Sequence, residues 1–298
     1  MICALCPRAC RVDRDAARGF CGMGGEVVVA RAAPHYWEEP CIAGYGGAGT
    51  VFFSGCSLRC VYCQNQVISG GRVGRPVTVD RLRQIYRELI DEGGVHNIEL
   101  VTGTHFIPQI AESLDPRPEV PVVWNSGGYE LPSSLRLLAG KVQVYLPDLK
   151  YMDPALAGRY SAAPDYPERA VAAIHEMLRQ VGAPVFDDEG LLVSGVLIRH
   201  LILPGQLDNT LDVIDAVSAF PKGSVLFSLM SQYTPPADVS LPDALNRRVT
   251  REEYERAVDY MYLCGIEDGY VQDLSSAQAQ YTPDFDLTGV DGKEGQTS

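Results

Sequence analysis

The stretch Thr50-Val-Phe-Phe-Ser-Gly-Cys56-Ser-Leu-Arg-Cys60-Val-Tyr-Cys63-Gln-Asn65 decides how the rest of the chain is read. Its first part, Thr50 to Ser54, is a β-branched and aromatic run fed by the glycine-rich connector Gly44-Tyr-Gly-Gly-Ala-Gly49, and it reads as a strand. The strand ends directly at Cys56, the first member of a C-x-x-x-C-x-x-C triad. Cys60 and Cys63 can share one face of a turn while Cys56 approaches from the strand end. Three thiolates so arranged can hold three irons of a cubane cluster and leave the fourth iron without a protein ligand. Zinc is the competing metal, but structural zinc takes four protein ligands, commonly as two separate pairs, and the triad has no obvious fourth partner nearby.

Working outward, the chain alternates strand and helix patterns. Thr78 caps a helix whose apolar stripe runs Val79, Leu82, Ile85, Tyr86, Leu89 and Ile90, stopping at Gly93-Gly94. Strands are expected at 97–102, 120–125, 142–148, 195–203 and 224–230, with helices near 107–114, 133–138, 168–181 and 210–220. Apolar strands separated by amphipathic helices imply a parallel sheet with helices outside. Six such units predict an α/β chain forming a partial (β/α)6 barrel with an N-terminal cysteine-rich extension; a full eightfold barrel needs more chain. Thr250-Arg-Glu-Glu253 reads as a capping box opening a last helix, and the polar residues after about 283 are expected to be loose. The expected organisation is an extension at 1–45, a core at 46–270 and a tail at 271–298.

Eight of the nine cysteines fall in the first 63 residues, which favours metal binding over a disulfide framework. Lys and Arg number 25 against 38 Asp and Glu, and the net charge of -13 argues against nucleic acid or an anionic membrane as the main partner. No apolar run approaches the roughly 18 residues of a membrane span, and a cytoplasmic protein is expected. Cys3, Cys6, Cys10 and Cys21 form a second group. Four thiolates in so short a segment suit a closed site for zinc, a mononuclear iron or an auxiliary iron-sulfur cluster, with a structural metal favoured and Cys41 able to replace or supplement one ligand. Cys264 reads as a small apolar core residue.

Gly55-Cys-x-x-x-Cys-x-Tyr-Cys, with its aromatic at Tyr62, resembles the signature of the radical S-adenosylmethionine superfamily. The loop 55–65 as a whole, Asp148-Leu-Lys150 and Ile198-Arg-His-Leu-Ile-Leu-Pro-Gly205 are similar to segments of pyruvate formate-lyase activating enzymes. With Cys3-Ala-Leu-Cys-Pro-Arg-Ala-Cys10 and Trp37-Glu-Glu-Pro-Cys41 added, the chain resembles an activase-related subfamily of uncertain substrate over nearly its full length. The resemblance implies a [4Fe-4S] cluster on the catalytic cysteines Cys56, Cys60 and Cys63, S-adenosylmethionine at the open iron, and cleavage to methionine and a 5'-deoxyadenosyl radical that abstracts hydrogen. It further implies an external electron donor such as a flavodoxin or ferredoxin, and a glycyl radical enzyme as partner. Tyr62, Thr102, Thr104, Asn125, Asp148, Lys150 and Arg199 are the expected cofactor-binding residues.

The chain departs from the superfamily after the second strand. Many members have Gly-Gly-Glu where this chain has Thr102-Gly-Thr-His105, so backbone carbonyls or hydroxyls are expected to hold the methionine amine. His105 and His200 read equally as site contacts or as structural hydrogen-bonding residues. Gln232 can line substrate, whereas Tyr233 can simply pack. Two other functions stand beside the activase reading: radical modification of another peptide, RNA or metabolite, and non-catalytic iron-sulfur electron transfer.

Overall fold

In the computed structural model, which describes residues 2–71, 73–236, 239–274 and 283–292, ten strands make one open sheet. They are Val27–His35 (β1), Ala48–Phe53 (β2), Arg75–Val77 (β3), Ile98–Val101 (β4), Val122–Ser126 (β5), Val144–Pro147 (β6), Val185–Phe186 (β7), Leu192–Leu201 (β8), Leu226–Met230 (β9) and Gly269–Val271 (β10). The helices are Pro40–Ala43 (α1), Gln66–Ser69 (α2), Val79–Asp91 (α3), Ile107–Ser113 (α4), Pro132–Leu135 (α5), Pro154–Ser161 (α6), Tyr166–Val181 (α7), Leu207–Ser218 (α8) and Arg251–Leu263 (α9). Strand order is β10-β9-β8-β6-β5-β4-β2-β1-β3, with β7 beside β8. From β2 to β10 the neighbours along this path are parallel. β2, β4, β5, β6, β8 and β9 are thus the six expected strands, and the sheet stays open as a partial barrel.

Burial explains the parallel run. Every residue of β2, β4, β5, β6 and β9 is buried, as strands covered on both faces require. The stripe Leu82, Ile85, Tyr86 and Leu89 of α3 enters the core beside Ile110, Trp124 and Ile174. Thr78 caps α3 by accepting from the Arg81 amide, and the Thr250 capping box of α9 is complete.

Four features depart from, or add to, the expected pattern. β1, from the stretch 1–45, pairs antiparallel with both β2 and β3, so that stretch and the core share a sheet. α6 carries no apolar periodicity strong enough to announce it, yet Asp153 caps it from in front of Pro154. The helix expected at 133–138 is the short α5 followed by a single 3-10 turn over 136–138. Residues 283–292 correct the expectation of a loose end: the Ala32 amide donates to Thr288 O and the Leu287 amide to Ala30 O, while Val290 is 2% exposed. Backbone bonds to β1, the apolar side chains Phe285, Leu287 and Val290, and the ion pairs Arg31–Asp286 and Arg75–Asp291 dock the segment together. Residues 275–282 and 293–298 of the expected tail lie outside the described residues.

Candidate active site

β2 delivers the chain to the C-terminal rim of the parallel strands, where Gly55 turns it with φ of +86°. A Cβ there would sit 2.5 Å from Met23 Cγ and 2.7 Å from Cys21 O, so the turn requires glycine. Beyond it Cys56, Cys60, Cys63 and Tyr62 line a cavity of about 240 Å³. The cysteine loop is anchored to the end of α6, because the Val61 amide donates to Tyr160 O at 2.9 Å and Ser161 Oγ donates to Cys60 Sγ at 3.0 Å. The Tyr151 hydroxyl lies 2.8 Å from both the Tyr62 and Ser161 hydroxyls. Burial, and then the neighbouring Cys60, pushes the Cys63 thiol up to about 12 and raises Cys56 as well. Burial thus favours the neutral thiols in spite of the nearby Lys150 cation; a bound metal reverses that preference.

Facing the triad is a polar wall built from successive strand ends. Asp148, just past β6, accepts from Lys150 Nζ at 2.5 Å and from Arg199 Nε at 3.1 Å. Arg199, on β8, also donates to Asn125 Oδ1 at 2.6 Å and to Glu38 at 2.9 Å. Asn125 donates to Glu99 at 2.6 Å, and Glu99 accepts from Thr50 at 2.9 Å. Burial pushes the Asp148 carboxyl up, but Lys150 and Arg199 outweigh it and hold the group below the ordinary carboxylate value. Burial likewise opposes the Lys150 and Arg199 cations, yet the surrounding anions, Asp148 foremost, raise both. Glu38 is pushed well up by burial and by Glu99, and Glu99 is raised by burial.

The structure brings Cys56, Cys60, Tyr62, Cys63, Thr102, Asn125, Asp148, Lys150 and Arg199 to one cavity, with Gln232 beside them. Thr102 has φ of +61°, a costly conformation for a β-branched residue, and its amide donates to Asn125 O. Thr104 is carried away by the 3-10 turn after β4, and its hydroxyl donates to buried Glu130. His105 and His200 are structural: each is buried and drawn down to about 4 by burial, with ring nitrogens 2.7 Å from the carbonyls of Ser54 and Leu149 respectively. Tyr233 packs against Tyr62 and donates to Leu245 O. Glu38, Glu39 and Glu99 went unread in the sequence. Glu99 left a signal, a carboxylate inside the apolar strand Ile98–Val101 that must find a polar partner.

In the N-terminal group, Cys3, Cys6 and Cys21 are buried and Cys10 accepts from the Phe20 amide. Burial pushes Cys6 up to about 12, with Cys3, Cys10 and Cys21 adding to the rise, so the four sulfurs lie within electrostatic reach of one another. Arg8 ties this segment to the triad loop by donating to Ser57 O at 2.7 Å. Cys41 is 3% exposed within a small apolar cluster, and Cys264 is partly buried against the main core. Among the described residues, no three His, Cys, Asp or Glu side chains converge tightly enough for a single metal ion. A cubane spreads its ligands over several irons, and three unpaired thiols on one cavity are the soft donor set that such a cluster takes.

Residues 50–217, more than half the chain, match the family model described as the radical SAM superfamily. An uncharacterized protein of Methanocaldococcus jannaschii is 30% identical over 268 residues, covering 86% of this chain and 73% of that protein. Among solved structures, Streptococcus suis SuiB bound to S-adenosylmethionine has a similar fold, with a TM-score of 0.50 and 13% identity over 76% of this chain and 50% of that one. HydG, a maturase of the [FeFe]-hydrogenase, gives 0.51 and 13% over 72% of this chain and 49% of its own. The chain therefore spans about half the length of these structural relatives. No helix among the described residues is long and apolar enough to cross a membrane.

Proposed function

Because this chain belongs to the radical S-adenosylmethionine superfamily, we propose that Cys56, Cys60 and Cys63 hold a [4Fe-4S] cluster and that S-adenosylmethionine binds at its open iron within the cavity. Such a cluster supplies the electron that splits the cofactor into methionine and a 5'-deoxyadenosyl radical. The protein's part is to bind, orient and keep water out. Lys150 and Arg199 present cationic donors for a carboxylate, and Asp148 keeps both fixed. The left-handed backbone at Thr102 re-aims the chain after β4, where a carbonyl can accept from the methionine amine. The observation that carries this reading is the meeting of three thiols with Asp148, Lys150, Arg199 and Asn125 on one cavity, from positions spread over more than a hundred residues.

Anaerobic reconstitution with iron and sulfide, followed by dithionite and S-adenosylmethionine, is expected to yield 5'-deoxyadenosine. Cys60→Ala should reduce that product to background. A fully loaded wild-type protein that makes none would overturn the reading. The four N-terminal thiols hold a second metal centre in this proposal, and their all-thiolate set, spread more widely than a single ion requires, suits an iron-sulfur cluster. Iron retained in part by Cys60→Ala, and the retained part lost when Cys6→Ala and Cys10→Ala are added, is the expected result.

The reading extends to activation of a glycyl radical enzyme, with a flavodoxin or ferredoxin as electron donor. Its support is the similarity of the loop 55–65 and of Asp148-Leu-Lys150 to activase segments, together with Trp37, which lines the cavity while 57% exposed and so offers a peptide an aromatic contact at the mouth. A stable glycyl radical signal on a co-purified protein after turnover is the expected outcome. Turnover stimulated by RNA or a small metabolite and by no protein would count against it.

A further inference from the structure

We propose that Ser161 sets the reduction potential of the cluster on Cys56, Cys60 and Cys63, acting as a positioning residue through the Cys60 sulfur. This deepens the proposed function and rests on its cluster assignment. Ser161 is the last residue of α6, is 2% exposed, and its Oγ donates to Cys60 Sγ at 3.0 Å. Among the described residues it is the one side-chain hydroxyl that donates to a triad sulfur; the remaining donors are backbone amides, those of Leu58 and Arg59 to Cys56 and that of Asn65 to Cys63.

The hydroxyl is held from two directions. On one side is the Tyr151 hydroxyl, 2.8 Å away, itself bonded to Tyr62. On the other, Arg8 of the N-terminal cysteine segment donates to the carbonyls of Ser161 and Ala162 while its Nε donates to Ser57 O, which fixes the helix end and the cysteine loop together. Phe20 backs the guanidinium at 3.9 Å.

The physical consequence follows from charge. One electron entering the cluster adds one negative charge, part of it on the ligand sulfurs, while the Ser161 proton stays on its oxygen and no covalent bond breaks. A hydrogen bond donated in a buried site stabilises the more negative state more than the less negative one. Lys150 bonds Asp148 and not a triad sulfur, so the Ser161 hydroxyl is the side-chain donor that the Cys60 sulfur loses. Removing the hydroxyl therefore makes the cluster harder to reduce.

The test is an anaerobic redox titration of reconstituted full-length protein, following the electron paramagnetic resonance signal that S-adenosylmethionine perturbs. Only a cluster with an open iron answers to that cofactor, which separates it from metal on the N-terminal cysteines. Ser161→Ala is expected to lower the reduction equilibrium constant about tenfold, which is 59 mV for a one-electron couple. Ser161→Thr keeps the hydroxyl and should stay near wild type. Arg8→Lys, which keeps charge but loses the fork, should shift the potential in the same direction as Ser161→Ala. The proposal is overturned if Ser161→Ala carries full iron at the wild-type potential, or if Ser161→Thr shifts as far as Ser161→Ala. A wild-type protein with the shiftable signal but no 5'-deoxyadenosine would defeat the proposed function alone; one with no such signal would defeat both.

Discussion

Asp148 sits between two cations, with Lys150 Nζ at 2.5 Å and Arg199 Nε at 3.1 Å, and its side chain is 16% exposed. Asp148→Asn would leave two mutually repelling cations in a largely buried wall. Breaking a buried pair from one side costs about 3 kcal/mol, well beyond what an exposed ion pair returns. Urea denaturation at pH 7 should show that loss; a variant as stable as wild type would mean that Glu38, at 2.9 Å from Arg199, compensates unaided. Asp148, Lys150, Asn125 and Arg199 could be read from the sequence because each lies at or near the end of a strand in a repeating pattern. Glu38 and Glu39 could not, since they come from the turn between β1 and α1, outside that repeat, and Glu38 meets a partner 161 residues away. Thr104 shows the reverse limit: its type and position suit the site, but a 3-10 turn aims it at Glu130.

At the level of elements, α9 is tied to the turn after β8 by one carboxylate. Glu253 accepts from the amides of Thr250 and Gly205 and from both Arg247 nitrogens at 2.7 Å. The Arg247 bonds foremost, then these amides, outweigh burial and draw the Glu253 carboxyl down to about 2. A carboxyl whose folded value is depressed contributes stability that is present above its unfolded value near 4.5 and lost as pH falls towards 2. Glu253→Gln is therefore expected to cost about 1 kcal/mol at pH 7, and the gap to wild type should narrow between pH 4.5 and 3. An equal gap at both pH values in urea melts would place the effect in packing. The α9 cap was legible because Thr-x-x-Glu is a local signal. The weaker cue for α6, Asp153 before Pro154, passed unnoticed, and with it the helix that meets the cysteine loop.

For the whole molecule, the six parallel strands were legible because burial on both faces writes itself as apolar runs. The antiparallel additions were not: β1 meets β2 and β3 through backbone bonds that composition does not encode, and residues 283–292 dock through similar bonds plus Phe285, Leu287 and Val290, too few and too irregularly spaced to write a strand or helix pattern. His200, on β8, joins two of the parallel units, with Nδ1 2.7 Å from Leu149 O after β6 and Nε2 3.0 Å from Thr210 Oγ1 on α8. Burial foremost draws it down to about 4, so the folded protein refuses the proton that the unfolded chain accepts near pH 6.5. Stability should fall as pH drops through that window, by up to about 1.4 kcal/mol per pH unit for this one group. Glu38 and Glu99 work in the opposite sense, because burial raises them and the folded state then binds more protons than the unfolded one between 4.5 and their folded values. The total profile mixes both signs, so the informative quantity is a difference. Subtracting the urea-derived stability of His200→Gln from that of wild type at pH 7 and at pH 5 should leave a gap that shrinks on acidification; a constant gap would show that the ring acts by shape and hydrogen bonding alone.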